Sequence, residues 1–195
     1  MIKFYDVLPT SIRVDGEDYL IDMSFDNVLK MFDLIKQKNV NGNQKLTLCM
    51  QLLFPHLRMD GLKKLNKDDM MKWINVFNQV FEHLFNSDIE EPERDLKGNI
   101  MPKRKKETKE QFLSLQQDVP YIYASFMHQY KIDLFEERGK LHWYKFKWLL
   151  DGLDDNTKLQ KVISIRRSEL PKGSKNQKAR KEMSEAKRIY ALKGE

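Results

Sequence analysis

Between Asn66 and Phe85 the residues Met70, Trp73, Ile74, Phe77, Val80, Phe81 and Leu84 recur at steps that put them on one broad side of a helix. A helix with that much apolar surface is a core helix, and Asn66 with Asp69 has near capping-box spacing at its start. The remaining chain must supply other apolar helix faces to cover it. Ser24 is placed to cap a helix that buries Phe25, Val28, Leu29, Phe32 and Ile35 and ends near Asn39 to Gly42. A second helix is expected from Lys45 to Phe54, stopping before Pro55.

The second half repeats the pattern. QFLSLQQ suggests a short helix, and Asp118 is placed to cap the next one, with Pro120 tolerated in its first turn. Val119, Ile122, Tyr123, Phe126 and Tyr130 then recur at helical spacing. After the loop ERGK, the run LHWYKFKWLLDGL puts Trp143, Phe146 and Leu150 on one side, with Tyr144 and Trp148 adjacent. Such a helix is buried centrally or shared with a partner, and Gly152 is its expected stop. DDNT is placed to cap a further helix through Leu159, Val162, Ile163 and Ile165.

Before all these helices, SIRVDGEDYLID reads as a β-hairpin. A two-residue Asp15-Gly16 turn sets Val14 opposite Glu17, whereas a longer loop from Asp15 to Asp18 pairs Val14 with Tyr19 and Ile12 with Ile21. The longer loop gives the more coherent apolar side and is the expected one. Either hairpin must dock on helices to be stable.

The expected fold is therefore mainly α: a compact helical domain with a small N-terminal β-hairpin and a basic C-terminal helix. Residues 1–86 hold the hairpin and first helices, 87–109 form a charged flexible loop, 110–170 form the aromatic-rich part of the same domain, and 171–195 form the basic amphipathic helix. The loop is expected because SDIEEPERD carries five acids against one arginine, and KGNIMPKRKKETK six bases against one glutamate.

Charge is distributed unevenly. From Arg166 to Glu195 there are ten Lys/Arg against four Asp/Glu, while the other 25 basic and 25 acidic residues cancel. A neutral body with a basic tail is the pattern of an interaction arm. Such clusters are most often a solvated face; in that tail Ala179, Met183, Ala186 and Tyr190 form a narrow apolar stripe, which favours a protein groove or docking onto the chain's own body over contact with nucleic acid. Neither this tail nor KRKK at 103–106 interleaves bases with stacking aromatics.

No catalytic or cofactor motif is present. His56, His83, His128 and His142 share no metal-ligand spacing, and no nucleophile elbow or Gly-rich phosphate loop occurs. DGLDDN fails as a calcium loop, because Leu153 and Val162 stand where carboxylates are needed. The lone Cys49 lies in an apolar run and is expected to be buried and inert. The expectation is a protein that is not an enzyme and needs no cofactor or metal. The start MIKFYDVLPT lacks a signal-peptide apolar stretch and no uncharged run approaches a membrane span, so a cytoplasmic location without membrane contact is expected.

Three strings, QDVPYIYASFMHQYKIDL, LHWYKFKWLLDGL and VISIRR, resemble the phage gene-product-fifteen family. Asp118-Val119-Pro120-Tyr121, Leu141-His142-Trp143, Leu153 and Ile163-Ser164-Ile165-Arg166 carry the resemblance, which covers residues 111–192 well and the N-terminal half more loosely. Genes of that family lie in the tail modules of long-tailed phages and prophages, between the major tail protein and the tape-measure protein. The resemblance implies a tail-assembly role in the host cell cytoplasm, as a chaperone engaging the tape-measure protein. Other tail proteins and self-association are further partners it allows, and it brings no active site to carry over. A regulatory role that uses the basic helix on nucleic acid, or a place in the finished tail, are the alternatives. The candidate partner-binding residues are Trp143, Tyr144 and Trp148 on one helix, and Lys178, Arg180, Lys181, Met183, Lys187, Arg188 and Tyr190 on the last.

Overall fold

Helical periodicity in the sequence becomes helix in the computed structural model, which describes residues 6–56, 67–85, 112–171 and 176–193, with side chains in the third helix described for 71–81. The elements are β1 (Ser11–Val14), β2 (Glu17–Leu20), α1 (Phe25–Lys36), α2 (Gly42–Leu53), α3 (Lys67–Phe85), α4 (Val119–Tyr130), α5 (Trp143–Asp151), α6 (Lys158–Arg167) and α7 (Gln177–Tyr190). The protein is mainly α with one two-stranded antiparallel hairpin. It divides into two units, Met1–Glu107 and Thr108–Glu195. The charged loop expected at 87–109 lies outside the described residues.

In the first unit the hairpin takes the tighter of its two registers. Val14 faces Glu17 and Ile12 faces Tyr19, which corrects the expected longer loop. Asp15 and Gly16 both have positive φ, 50° and 86°, the backbone that makes a two-residue turn follow the strand twist. This register also sets Arg13 directly opposite Asp18, where the guanidinium donates two bonds of 2.9 and 2.8 Å to the carboxylate. The coherent apolar side comes from tertiary contact instead. The Tyr19 ring meets Trp73 of α3 edge-on at 5.5 Å, and Lys72 pairs with Asp15.

Phe54 meets Trp73 at 5.9 Å from the other direction, so hairpin, α2 and α3 converge on one indole. Val28, Met31, Cys49, Met50 and Leu53 fill the space between α1 and α2. Asn27, buried, holds the same junction through bonds from its amide nitrogen to the Asp22 and Leu52 carbonyls. Ser24 stands at the α1 N-cap, but its hydroxyl is buried without a partner; Asp22 instead accepts from the Ser24 amide. Asn41 caps α2 by accepting from the Gln44 amide at 2.9 Å, so the helix starts at Gly42, three residues before the expected start at Lys45.

Cys49 is buried, and desolvation pushes its thiol up to about 11 despite the opposing charge of Lys45. A raised folded-state pKa favours the neutral thiol, so this contribution to stability is complete below the unfolded-state value and is lost as pH rises toward 11. At pH 8 the native chain should react with a thiol-specific disulfide reagent about a hundredfold more slowly than the denatured chain, as its smaller thiolate fraction requires. Equal rates in the two states would contradict the burial.

In the second unit α4 packs on α5 and α6, and α6 on α7. Phe126 lies fully buried between Phe146, stacked at 5.5 Å, and Tyr130, edge-on at 5.6 Å. Ile122, Trp143, Leu150, Leu153, Leu159, Val162 and Ile163 complete this core. QFLSLQQ is not a helix where it is described; residues 112–118 run through an irregular segment into a turn closed by the Asp118 amide on the Ser114 carbonyl. Gly152 ends α5 as expected. A Cβ there would stand 3.1 Å from the Trp148 carbonyl and 3.3 Å from the Tyr130 hydroxyl. A side chain at 152 would therefore crowd both the last turn of α5 and the Tyr130 hydroxyl of α4.

Candidate functional site

Asp118, Tyr121, Ser125 and Gln129 recur at steps of three, four and four, which puts them along one side of α4. Each reaches a different piece of the second unit. The Asp118 carboxylate receives two bonds of 2.7 Å from the Arg166 guanidinium on α6 and a third from the Ser114 amide. The same guanidinium donates to the Phe112 carbonyl at 2.7 Å and, through Nε, to the Tyr190 carbonyl at 2.6 Å. Side-chain exposure is 1% for Asp118 and 8% for Arg166, so this is a buried ion pair with its remaining polar atoms matched.

One helical turn on, Tyr121 meets the Tyr190 ring edge-on at 5.8 Å, with the Lys158 ammonium over both rings. The buried Ser125 hydroxyl donates to the Tyr121 carbonyl at 2.7 Å and accepts from the Leu159 amide at 2.9 Å. Leu159 is in the first turn of α6, so a side chain of α4 does the capping expected of DDNT. The Thr157 hydroxyl donates instead to the Asp154 carbonyl. At the far end the Gln129 amide spans the turn after α5, donating to the Gly152 carbonyl and accepting from the Asp154 amide. Asp118 itself makes no side-chain cap on α4, which corrects the expected role: its carboxylate is committed to Arg166 and Ser114.

The candidate partner-binding residues separate into three groups. Trp143 and Tyr144 are buried, and Tyr144 is held with its phenol pKa above the usual tyrosine range by that burial. Trp148, one turn beyond Tyr144 and stacked on it at 6.0 Å, is 51% exposed. On α7, Lys178, Arg180, Lys181 and Arg188 are exposed, while Met183, Lys187 and Tyr190 are partly covered. Lys187 donates to the Arg166 carbonyl and Tyr190 accepts from the Lys158 ammonium, so the apolar stripe of α7 faces the chain's own second unit. The structure thus joins Tyr190 to Tyr121 of α4 and Lys187 to the backbone of α6, leaves the other α7 cations outward, and sets Trp148 apart on α5.

His142 caps α5 by accepting from the Tyr144 amide at 3.1 Å, whereas His56 and His128 are exposed. Among the described residues no group of three or more His, Cys, Asp or Glu is placed to hold a metal ion, and no helix is long and apolar enough to cross a membrane.

A mainly α protein in which one helix ties its neighbours together with polar side chains, with an exposed tryptophan on one helix and outward cations on another, is the class these features define. Its family follows from the sequence as a whole: the chain belongs to the Bacteriophage Gp15 protein family, whose model matches residues 4–192. No curated protein and no solved structure matches the chain significantly. Asp118 and Arg166, from two of the strings that carry the family resemblance, are the two halves of the buried ion pair.

Proposed function

We propose that this phage protein is a non-enzymatic tail-assembly chaperone that engages the tape-measure protein in the host cytoplasm. The observation that carries the reading is family membership across residues 4–192, since the family resemblance implies a tail-module gene beside the tape-measure gene. The structure supports it with a suitable surface. Tape-measure proteins are long helical chains whose apolar seams need covering before the tube encloses them. Trp148 offers a large, stiff, half-exposed ring already braced on Tyr144, the kind of anchor on which protein interfaces depend. Covering such a seam reversibly needs an apolar anchor with polar surroundings, and α5 presents Lys145 and Asp151 exposed on the same helix.

Co-expression with the tape-measure polypeptide of the same phage tests this. The account expects a fragment that aggregates alone to stay soluble and to co-purify with the chain, and expects the chain to be missing from finished virions by mass spectrometry. A fragment equally soluble without the chain contradicts the chaperone role, and presence in virions assigns a structural tail role instead. The exposed row of Lys178, Arg180, Lys181 and Arg188 favours one second reading, binding to nucleic acid. That reading requires a specific site as well as a steep loss of binding with salt.

A further inference from the structure

Helix α7 buries no residue, yet its C-terminal end is fastened at five polar points. Arg166 Nε donates to the Tyr190 carbonyl at 2.6 Å, and Lys158 Nζ donates to the Tyr190 hydroxyl at 2.9 Å. The Gln117 side-chain amide clasps the backbone of Lys193 from both sides, donating at 2.9 Å and accepting at 2.8 Å. Lys187 Nζ donates back to the Arg166 carbonyl at 2.9 Å. The Tyr190 ring sits against Tyr121 with the Lys158 ammonium 4.9 Å from its centroid.

We propose that the surface of α4 and α6 holding α7 is an exchangeable docking site for a helix C-terminus, filled by the chain's own α7 and able to hold the α7 of a second copy. The chemistry of the site matches a helix end. The last carbonyls of a helix lack partners within it and carry the negative end of its dipole; here the Arg166 guanidinium meets the Tyr190 carbonyl and the Gln117 amide meets the Lys193 carbonyl just beyond it, while the Lys158 ammonium holds the Tyr190 hydroxyl. The aromatic contact adds a requirement for tyrosine at that end. Nothing in these contacts depends on α7 belonging to the same chain; a second copy brings the same Tyr190, Lys187 and Lys193. Exchange of an identical terminal element between copies is a low-cost route to association. Release is also easy for α7 in particular. With no residue buried, it forfeits little apolar contact, which is the property of segments that open without unfolding their surroundings.

Two measurements on the full chain test the proposal. Hydrogen exchange should be faster in α7 than in α4 by at least about a hundredfold, reporting local opening. A fluorescent peptide of residues 176–193 should bind the chain saturably. Tyr190→Ala in the chain, which loosens its own α7 while the peptide keeps its tyrosine, should tighten peptide binding about tenfold by freeing the site. Adding Lys158→Ala to the Tyr190→Ala chain, where Lys158 no longer holds the chain's own tyrosine, should weaken it, and the unlabelled chain at high concentration should compete. Protection of α7 equal to that of α4, failure of the peptide to bind the Tyr190→Ala chain, or binding indifferent to Lys158→Ala would each overturn the proposal.

Discussion

Asp118→Ala should destabilise the second unit by about 3–5 kcal/mol, the usual effect of removing one partner from a buried ion pair. The magnitude comes from what remains. Arg166 keeps its charge at 8% side-chain exposure, with its two 2.7 Å bonds to the carboxylate gone and no anion to replace them. The Ser114 amide also loses its acceptor, so the turn before α4 loosens together with α6. Arg166→Lys should recover little, because one ammonium has to replace a planar fork that reaches Phe112, Asp118 and Tyr190 at once. The paired change Asp118→Leu with Arg166→Met should be milder than Asp118→Ala alone, since it leaves no buried charge behind. Urea dependence of hydrogen exchange in peptides from α4 and α6 measures all three. A loss below about 1 kcal/mol in Asp118→Ala, the level of an exposed pair, would mean that the pair is open to water.

Phe126→Ala should have an effect of similar size for a different reason. The ring is fully buried between Phe146 and Tyr130, and its removal leaves a cavity lined by side chains already fixed on α4 and α5. Loss of apolar transfer energy and the incompletely collapsed cavity together amount to about 3–5 kcal/mol for a phenylalanine in such a place. Met127, the next residue on α4, is exposed, and Met127→Ala should stay within about 0.5 kcal/mol. The contrast between adjacent positions is read from the midpoint of urea unfolding; equal losses at 126 and 127 would put the core on the wrong side of α4.

Much of this fold is legible in the sequence because apolar periodicity is a local signal. Trp73 and Val80 of the expected stripe are buried on α3, joined by Val76, which that stripe left out, and Trp143, Phe146 and Leu150 mark α5, with Gly152 at its stop. The misreadings share a cause, which is that polar side chains were matched to their nearest neighbours. Asp118 and Thr157 stand at N-cap positions, yet Asp118 bonds across 48 residues to Arg166, and Ser125 caps α6 across 34 residues. The hairpin register failed in the same way: the shorter turn looks poor within the hairpin, and is completed by Trp73 from α3. A polar stripe at 118, 121, 125 and 129 on a helix otherwise rich in aromatics has to find buried partners, and those partners are the neighbouring helices.

The candidate site was legible only in outline. Trp143, Tyr144 and Trp148 are equivalent as letters in an aromatic run, but helical geometry sends the first two inward and leaves Trp148 at the border of the buried side. The basic helix divides between its own body and solvent. Tyr190 and Lys187 turn inward, and Lys178, Arg180, Lys181 and Arg188 turn out.

The claim that this chain works by holding another polypeptide is tested most directly by titrating it, and its Trp148→Ala variant, against the tape-measure polypeptide of the same phage while following the melting temperature of each. The account predicts saturable binding by the natural chain and at least about tenfold weaker binding by the variant, the loss expected of an interface anchor, with melting unchanged. Absence of binding by the natural chain, or a variant that binds as tightly as its parent, would contradict it.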